Sequence, residues 1–218
     1  MPIQLVMFDF DGTLVDTAPD LIRSTNIFLE SRGQQPLPEE TIRSHIGFGL
    51  KNLMLESFPE ALEHPAKVAE IEKEFLAIYD QQFLKTPELY PNAREFLETW
   101  NGDIAIVSNK RARYIHPILE HLKIDKLPWK AIIGGDTLAQ MKPHPTPFLE
   151  AMKNAGTDRA TTVMVGDGEP DVEGALAVGI HSIAVSFGYS SIERLVHLGA
   201  NDTIDNFSEL TKKLNALT

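Results

Sequence analysis

A chain of 218 residues is long enough for a full hydrophobic core, either as one domain or as a core carrying an inserted one. Its composition, 43% hydrophobic and 23% charged, is that of a soluble globular protein, and a net charge of −11 without any run of Lys or Arg argues against nucleic acid and anionic membranes as partners. With no cysteine, disulfides, a thiol nucleophile and a Cys-type zinc site are excluded, whereas a small anionic substrate stays open where cations concentrate locally.

Residues 3–8 form a short apolar run closed by Asp-Gly, the pattern of a buried strand. Pro19-Asp20 opens a helical pattern with Leu21, Ile22, Thr25, Phe28 and Leu29 on one face, ending near Gly33. Pro36 and Pro38 lead to Glu39-Glu40, which suit the first turn of a second helix. Residues 46–50, Ile-Gly-Phe-Gly-Leu, interrupt the helices before a third. After Pro59 and Pro65 comes a longer amphipathic pattern through Val68, Ile71, Phe75, Tyr79 and Phe83. Residues 16–88 therefore read as all-helical, too long for a loop, and are expected to form an inserted domain on a core of residues 1–15 and 89–218.

Beyond Tyr90 the pattern alternates. Helices are expected at 91–100, around Tyr114 to Leu122, at 147–155, 172–178 and 192–198, and at the C-terminus. Strands are expected at 103–107, 131–133, 161–165, 181–185 and 203–204. Such alternation predicts right-handed βαβ units, an α/β fold and a parallel sheet covered on both faces. Ligands of such sheets bind at the carboxyl ends of the strands. No apolar run approaches the ~18 residues of a membrane span. Asp9 also falls too early for a signal-peptide apolar region, so the expected location is cytoplasmic.

Four strand ends carry chemistry. The first offers Asp9 and Asp11, which an extended backbone projects to the same side as a hard-oxygen site suited to Mg²⁺. The second offers Ser108 and Asn109, and the third is followed by Lys142 between Met141 and Pro143. The fourth offers the acidic turn Asp167-Gly168-Glu169-Pro170-Asp171. Each has an ordinary structural reading: turn acids, helix caps, a solvated lysine, a helix-start acid. Together, acids, hydroxyl, lysine and a second acidic cluster at successive strand ends are hard to assign to caps and turns.

The spaced set Asp9-x-Asp11-Gly12-Thr13, Ser108-Asn109, Lys142-Pro143 and Gly166-Asp167-x-x-x-Asp171 resembles the haloacid dehalogenase-like superfamily of phosphohydrolases. The resemblance implies a Rossmann-like parallel sheet core, with the helical insertion as a small mobile cap. More narrowly, the chain is similar to phosphoglycolate phosphatases through residues 14–21, residues 46–50 and the stretch from Gly134-Gly135-Asp136-Thr137 to Lys142-Pro143-His144-Pro145. It departs from many relatives at Gly168, where they have Ser, and Glu169 adds an acid nearby.

The implied reaction is hydrolysis of a small phosphorylated metabolite, 2-phosphoglycolate to glycolate and phosphate. Asp9 would be the nucleophile, forming an aspartyl-phosphate, and Asp11 the general acid and base. A free Asp is ionised at neutral pH, so that role asks for a raised pKa or transient shielding of Asp11. Ser108 and Asn109 would bind the phosphate, and Lys142 would add a fixed positive charge. Mg²⁺ would be held by Asp9, Asp167 and, as the resemblance implies, the main-chain carbonyl of Asp11, with Asp171 orienting them from behind. Arg43, Gly47, Phe48 and Lys51 are the candidates for reading the leaving group, against an equally ordinary reading as surface residues. A hydrolytic dehalogenase of this superfamily would need neither the metal nor a second acid at position 11. The alternatives are a sugar-phosphate phosphatase or phosphomutase and, in a different class, a non-catalytic phosphate-binding regulatory module. Monomer and homodimer are equally open.

Overall fold

The computed structural model describes residues 2–58 and 67–217; Pro59 and Pro65, expected to punctuate the approach to the fourth helix, lie outside the described residues. The central strand β1, Leu5–Phe8, is buried at every position and pairs in parallel with β4 (Asp103–Val107) on one side and β6 (Thr162–Gly166) on the other. Beyond these lie β5 (Trp129–Ile133), then β7 (His181–Val185) and β8 (Asp202–Ile204), giving a six-stranded parallel sheet of order β5-β4-β1-β6-β7-β8. The strand order reverses direction at β1, where α/β sheets open a crevice at their carboxyl ends.

The two-residue period of a strand divides the apolar core between the two faces. Val6 and Phe8 pack with Ile104, Ile106, Val163 and Val165 on one face. Leu5 and Met7 pack with Ala105, Val107 and Met164 on the other. Helices α5 (Ala93–Thr99), α6 (Ala112–His121) and α10 (Leu210–Ala216) cover the first face, and α7 (Thr146–Ala155) and α8 (Glu169–Val178) the second. The helix α9, Ile192–Leu198, packs beside α8. The expected α/β class and the order of its elements are those observed, with boundaries shifted by a few residues.

Between β2 (Val15–Asp16) and β3 (Glu88–Leu89), the described residues form four helices: α1 (Ala18–Ser31), α2 (Glu39–Ser44), α3 (Leu50–Ser57) and α4 (Val68–Tyr79). They bury their own cluster, in which the Phe28 ring meets Phe58 at 4.7 Å and Phe75 at 6.0 Å. One expectation is corrected at the margins. Asp16 and Glu88, read as the ends of an all-helical segment, face each other across an antiparallel two-stranded ribbon. Two residues are too few to display a strand's alternation, so composition alone leaves the ribbon invisible. Among the described residues, no helix is long and apolar enough to cross a membrane.

Phe8 is fully buried, against Phe96 at 5.7 Å and Phe207 at 6.1 Å. Its truncation leaves a cavity under β1, and Phe8→Ala is expected to cost about 3–5 kcal/mol of unfolding free energy. Urea denaturation checks this as a lower midpoint at unchanged slope.

Candidate active site

The carboxyl ends of β1, β4 and β6 meet in one buried cluster of charge. Asp9 follows directly on β1 and is 4% exposed. Its Oδ1 accepts the Phe10 N–H at 2.6 Å and faces Lys142 Nζ at 2.9 Å. Lys142, 2% exposed, reaches Asp171 Oδ1 at 2.5 Å with the same ammonium. Burial works to discharge Lys142, but Asp171 and Asp9 more than offset it and raise its pKa, so the cation persists. Asp171 stands at the third position of α8, where its Oδ2 also accepts the Gly168 N–H at 2.9 Å. This is the helix-start acid of the ordinary reading and the partner of Lys142 at once.

Asp167 is held from three sides. Its Oδ1 accepts Thr13 Oγ1 at 2.7 Å and its Oδ2 accepts the Tyr189 N–H at 2.9 Å. The backbone closes on the same carboxylate. A Cβ on Gly12, whose φ is +78°, would stand 2.2 Å from Asp167 Oδ2, and one on Gly188 would stand 2.1 Å from Asp167 Cβ. Glycine is required at both positions by that approach.

Asp11 faces the other way, toward the helices. It accepts Thr17 Oγ1 and pairs with Lys110, whose Nζ is 3.0 Å from Asp11 Oδ1 and 2.8 Å from Tyr79 Oη of α4. Between this group and α3 lies a cavity of ≈ 50 Å³, lined by Asp9, Asp11, Ser108, Asn109, Lys110 and Tyr79 among others. β1 ends at Phe8, so Asp9 and Asp11 do not share a strand face, yet both line this cavity.

The other expected residues fall into two groups. Ser108, 4% exposed, lines the cavity. Asn109 also lines it, but its side-chain amide donates to the Lys142 carbonyl at 3.0 Å and the Gly47 carbonyl at 3.2 Å. Those N–H groups are therefore engaged in joining two loops. Of the helical-segment candidates, only Gly47 lines the cavity; Phe48 does not, and Lys51 is exposed. Arg43 lies over the Tyr189 ring at 5.2 Å and 3.6 Å from Asp16, beside the ribbon. Glu169 turns outward to Arg194, away from the buried acids. In the subfamily stretch, Asp136 accepts the Ala112 N–H at the start of α6.

Sequence reasoning passed over Lys110, Tyr79 and Tyr189. Lys110 follows Ser108-Asn109 directly, and the end of a fifth strand, Ser186-Phe187-Gly188-Tyr189, was available as a signal. Tyr189 Oη accepts the Thr17 and Ala18 N–H groups, each at 3.0 Å, and donates to Asp16 Oδ1 at 2.9 Å. One residue thus ties the first turn of the helical segment to Asp167.

The acids fit a hard divalent cation. Asp9, Asp167 and Asp171 are buried, with one carboxylate oxygen of each lying within 4.8 Å of the others. Burial, followed by the charges of Asp9 and Asp171, raises the Asp167 pKa well above its ordinary value, and burial with the charge of Asp9 raises that of Asp171 despite Lys142. A single ammonium leaves this cluster short of positive charge, and oxygen ligands of this kind suit Mg²⁺.

Comparison with known proteins agrees with the geometry. The model of the haloacid dehalogenase-like hydrolase family matches residues 6–185. Phosphoglycolate phosphatase 1 of Pseudomonas aeruginosa is 35% identical over 214 residues, covering 95% of this chain and 78% of that protein. The phosphoglycolate phosphatase of Colwellia psychrerythraea is 35% identical over 215 residues, covering 95% of each. A crystal structure described as a predicted phosphoglycolate phosphatase from Haemophilus somnus superposes with a TM-score of 0.88 at 28% identity, covering 97% of each chain. A haloacid dehalogenase-like family protein of Streptococcus pneumoniae shares the fold, with a TM-score of 0.85 over 97% of this chain and 98% of its own at 21% identity. This chain belongs to the haloacid dehalogenase-like hydrolases and is a phosphatase resembling the phosphoglycolate phosphatases among them.

Proposed function

We propose that the protein is a Mg²⁺-dependent phosphomonoester hydrolase that works through an aspartyl-phosphate on Asp9, with 2-phosphoglycolate as its substrate. The observation that carries this reading is the buried contact of Asp9 with Lys142, beside the acids Asp167 and Asp171. A nucleophile, a fixed cation and a cation-binding set in one place serve phosphoryl transfer.

An Asp9 carboxylate oxygen attacks phosphorus, and the bond to the leaving alkoxide breaks. Asp11, lining the same cavity, gives the alkoxide its proton. A water then attacks phosphorus, losing its proton to Asp11, and the acyl-phosphate P–O bond breaks to regenerate Asp9 and release phosphate. Lys142 stands against the charge of the transferring group, with the Ser108 hydroxyl as a donor beside it. Mg²⁺, when bound, neutralises the repulsion between Asp9 and the phosphoryl oxygens. Asp9, Asp167 and the main-chain carbonyl of Asp11 would hold it. Asp171, spent on Lys142 and the Gly168 N–H, orients from behind.

In this reading residues 16–88 are a cap that closes over the site and excludes water. Its boundaries fall within the β2–β3 ribbon, and Tyr189 and Asn109 fasten it to the core. Support for the substrate comes from the names of the relatives.

Asp9→Asn is expected to lose phosphatase activity roughly 10⁴-fold or more with the fold retained, as removal of a nucleophile commonly does. Substantial residual turnover would exclude Asp9 as the nucleophile. Rates on 2-phosphoglycolate and on hexose phosphates, measured side by side, separate the substrate from sugar-phosphate alternatives. No phosphate release from a broad monoester panel with Mg²⁺ would leave a non-catalytic phosphate-binding role.

Mg²⁺ is expected to raise the thermal midpoint of the wild-type protein, by about 2.7 kcal/mol of added stability at a hundredfold excess over its dissociation constant. Asp167→Asn should abolish this rise. Asp167 and Asp171 hold protons more tightly folded than unfolded, so metal-free stability falls as pH climbs from the carboxylate range to about 7. Mg²⁺ competes with those protons, and the rise it causes should be full above pH about 7 and shrink below it.

A further inference from the structure

Two buried lysines stand near Asp9 and Asp11, and the proposed chemistry uses only one of them. Lys142 is committed to Asp9 and Asp171. Lys110, 9% exposed, lines the cavity together with Asp9 and Asp11, whereas Lys142 does not line it. The Lys110 ammonium has three N–H donors. Among the described residues its partners are the Tyr79 hydroxyl at 2.8 Å and the two oxygens of Asp11, Oδ1 at 3.0 Å and Oδ2 at 3.4 Å, and the long Oδ2 contact is the one a better acceptor would replace. The Asp11 carboxylate beside it, 3.0 Å away, makes this ammonium one half of an ion pair.

Tyr79 is complementary. Its oxygen accepts from Lys110 at 2.8 Å, leaving its own O–H free to donate. Burial, opposed by Lys110, pushes the phenol up to about 12, so the proton stays on the oxygen. The ring is fixed by stacking on Phe75 and by an edge contact with Tyr114 at 4.7 Å. An ammonium N–H held only by a long 3.4 Å contact and a phenol O–H not spent on Lys110, both on residues lining one small cavity, form a pair of donors. A buried donor poorly satisfied is costly, and an anionic acceptor between the two serves both at once.

We infer that Lys110 and Tyr79 are the specificity-determining residues of the site and bind a carboxylate on the leaving group, which defines the substrate class as small phosphorylated carboxylic acids. The inference rests on the phosphatase reading above and deepens it. Tyr79 belongs to α4 and Lys110 to the core, so an acid bound between them also bridges the helical segment to the sheet.

The test compares 2-phosphoglycolate with 2-hydroxyethyl phosphate, which replaces the carboxylate by a neutral alcohol of similar size. The readout is the ratio of their kcat/KM values, which cancels any general effect of losing the partner of Asp11. Lys110→Met is expected to lower this ratio by roughly 100-fold, carried mainly by KM for the acid, and Tyr79→Phe by about tenfold. Circular dichroism checks folding, and where Lys110→Met fails to fold, Tyr79→Phe supplies the ratio. A ratio within about threefold of wild type in the folded variants would overturn the assignment. Wild-type protein that cleaves both esters without preferring the acid would overturn it too and leave the phosphatase reading standing. Protein that cleaves neither ester with Mg²⁺ would bring down that reading as well.

Discussion

The structure depends on one buried ammonium. Lys142 sits between Asp9 and Asp171, with Asp167 close by, and charges this deep are tolerated only when paired and hydrogen-bonded. Breaking such a pair costs far more than forming it gains, so the cluster is weak evidence for stability and strong evidence for use. The raised proton affinity of Asp167 and Asp171 is the residue of that imbalance, and a divalent cation would relieve it.

The rest of the fold brings these groups together and keeps water from separating them. β1 is hydrophobic at every position because both faces are covered, and it delivers Asp9 directly from the centre of the sheet. Gly12 and Gly188 let two loops press against Asp167 without a Cβ between. Tyr189 and Asn109 then carry the order outward, one to the start of α1 and the other to the loop before α3. The helical segment is fastened by side chains that also position the site, which is how closure over a substrate would complete the constellation.

The sites of positive charge divide the labour. Lys142 faces the acids at the end of β1 and the start of α8, whereas Lys110 faces Asp11 and the helices. In a chain of net charge −11, an anionic substrate needs such local cations, one in contact with Asp9 and the other with Asp11.

Much of this was legible in the sequence. The apolar strand runs, their alternation with helices, and Asp9, Asp11, Ser108, Lys142, Asp167 and Asp171 at strand ends and in loops all follow from patterns over a few adjacent residues. The two-residue ribbon had no period to reveal it, and the outward turn of Glus such as Glu169 depends on a partner, Arg194, on another helix. The side-chain amide of Asn109, a phosphate-binding candidate from its sequence, donates to two carbonyls, one 33 and the other 62 residues away in the chain. Of the four candidates for reading the leaving group, Gly47 lines the cavity, whereas Arg43, Phe48 and Lys51 do not. Lys110 and Tyr79 meet across 31 residues, and Tyr189 reaches Thr17 across 172. By itself the sequence determined the fold class and brought acids, a hydroxyl and a lysine to successive strand ends, because local periodicity encodes the strands and the positions where they stop. Only the tertiary structure decided that Lys110, Tyr79, Tyr189 and Gly188 stand around those groups, because their contacts join residues that no local pattern relates.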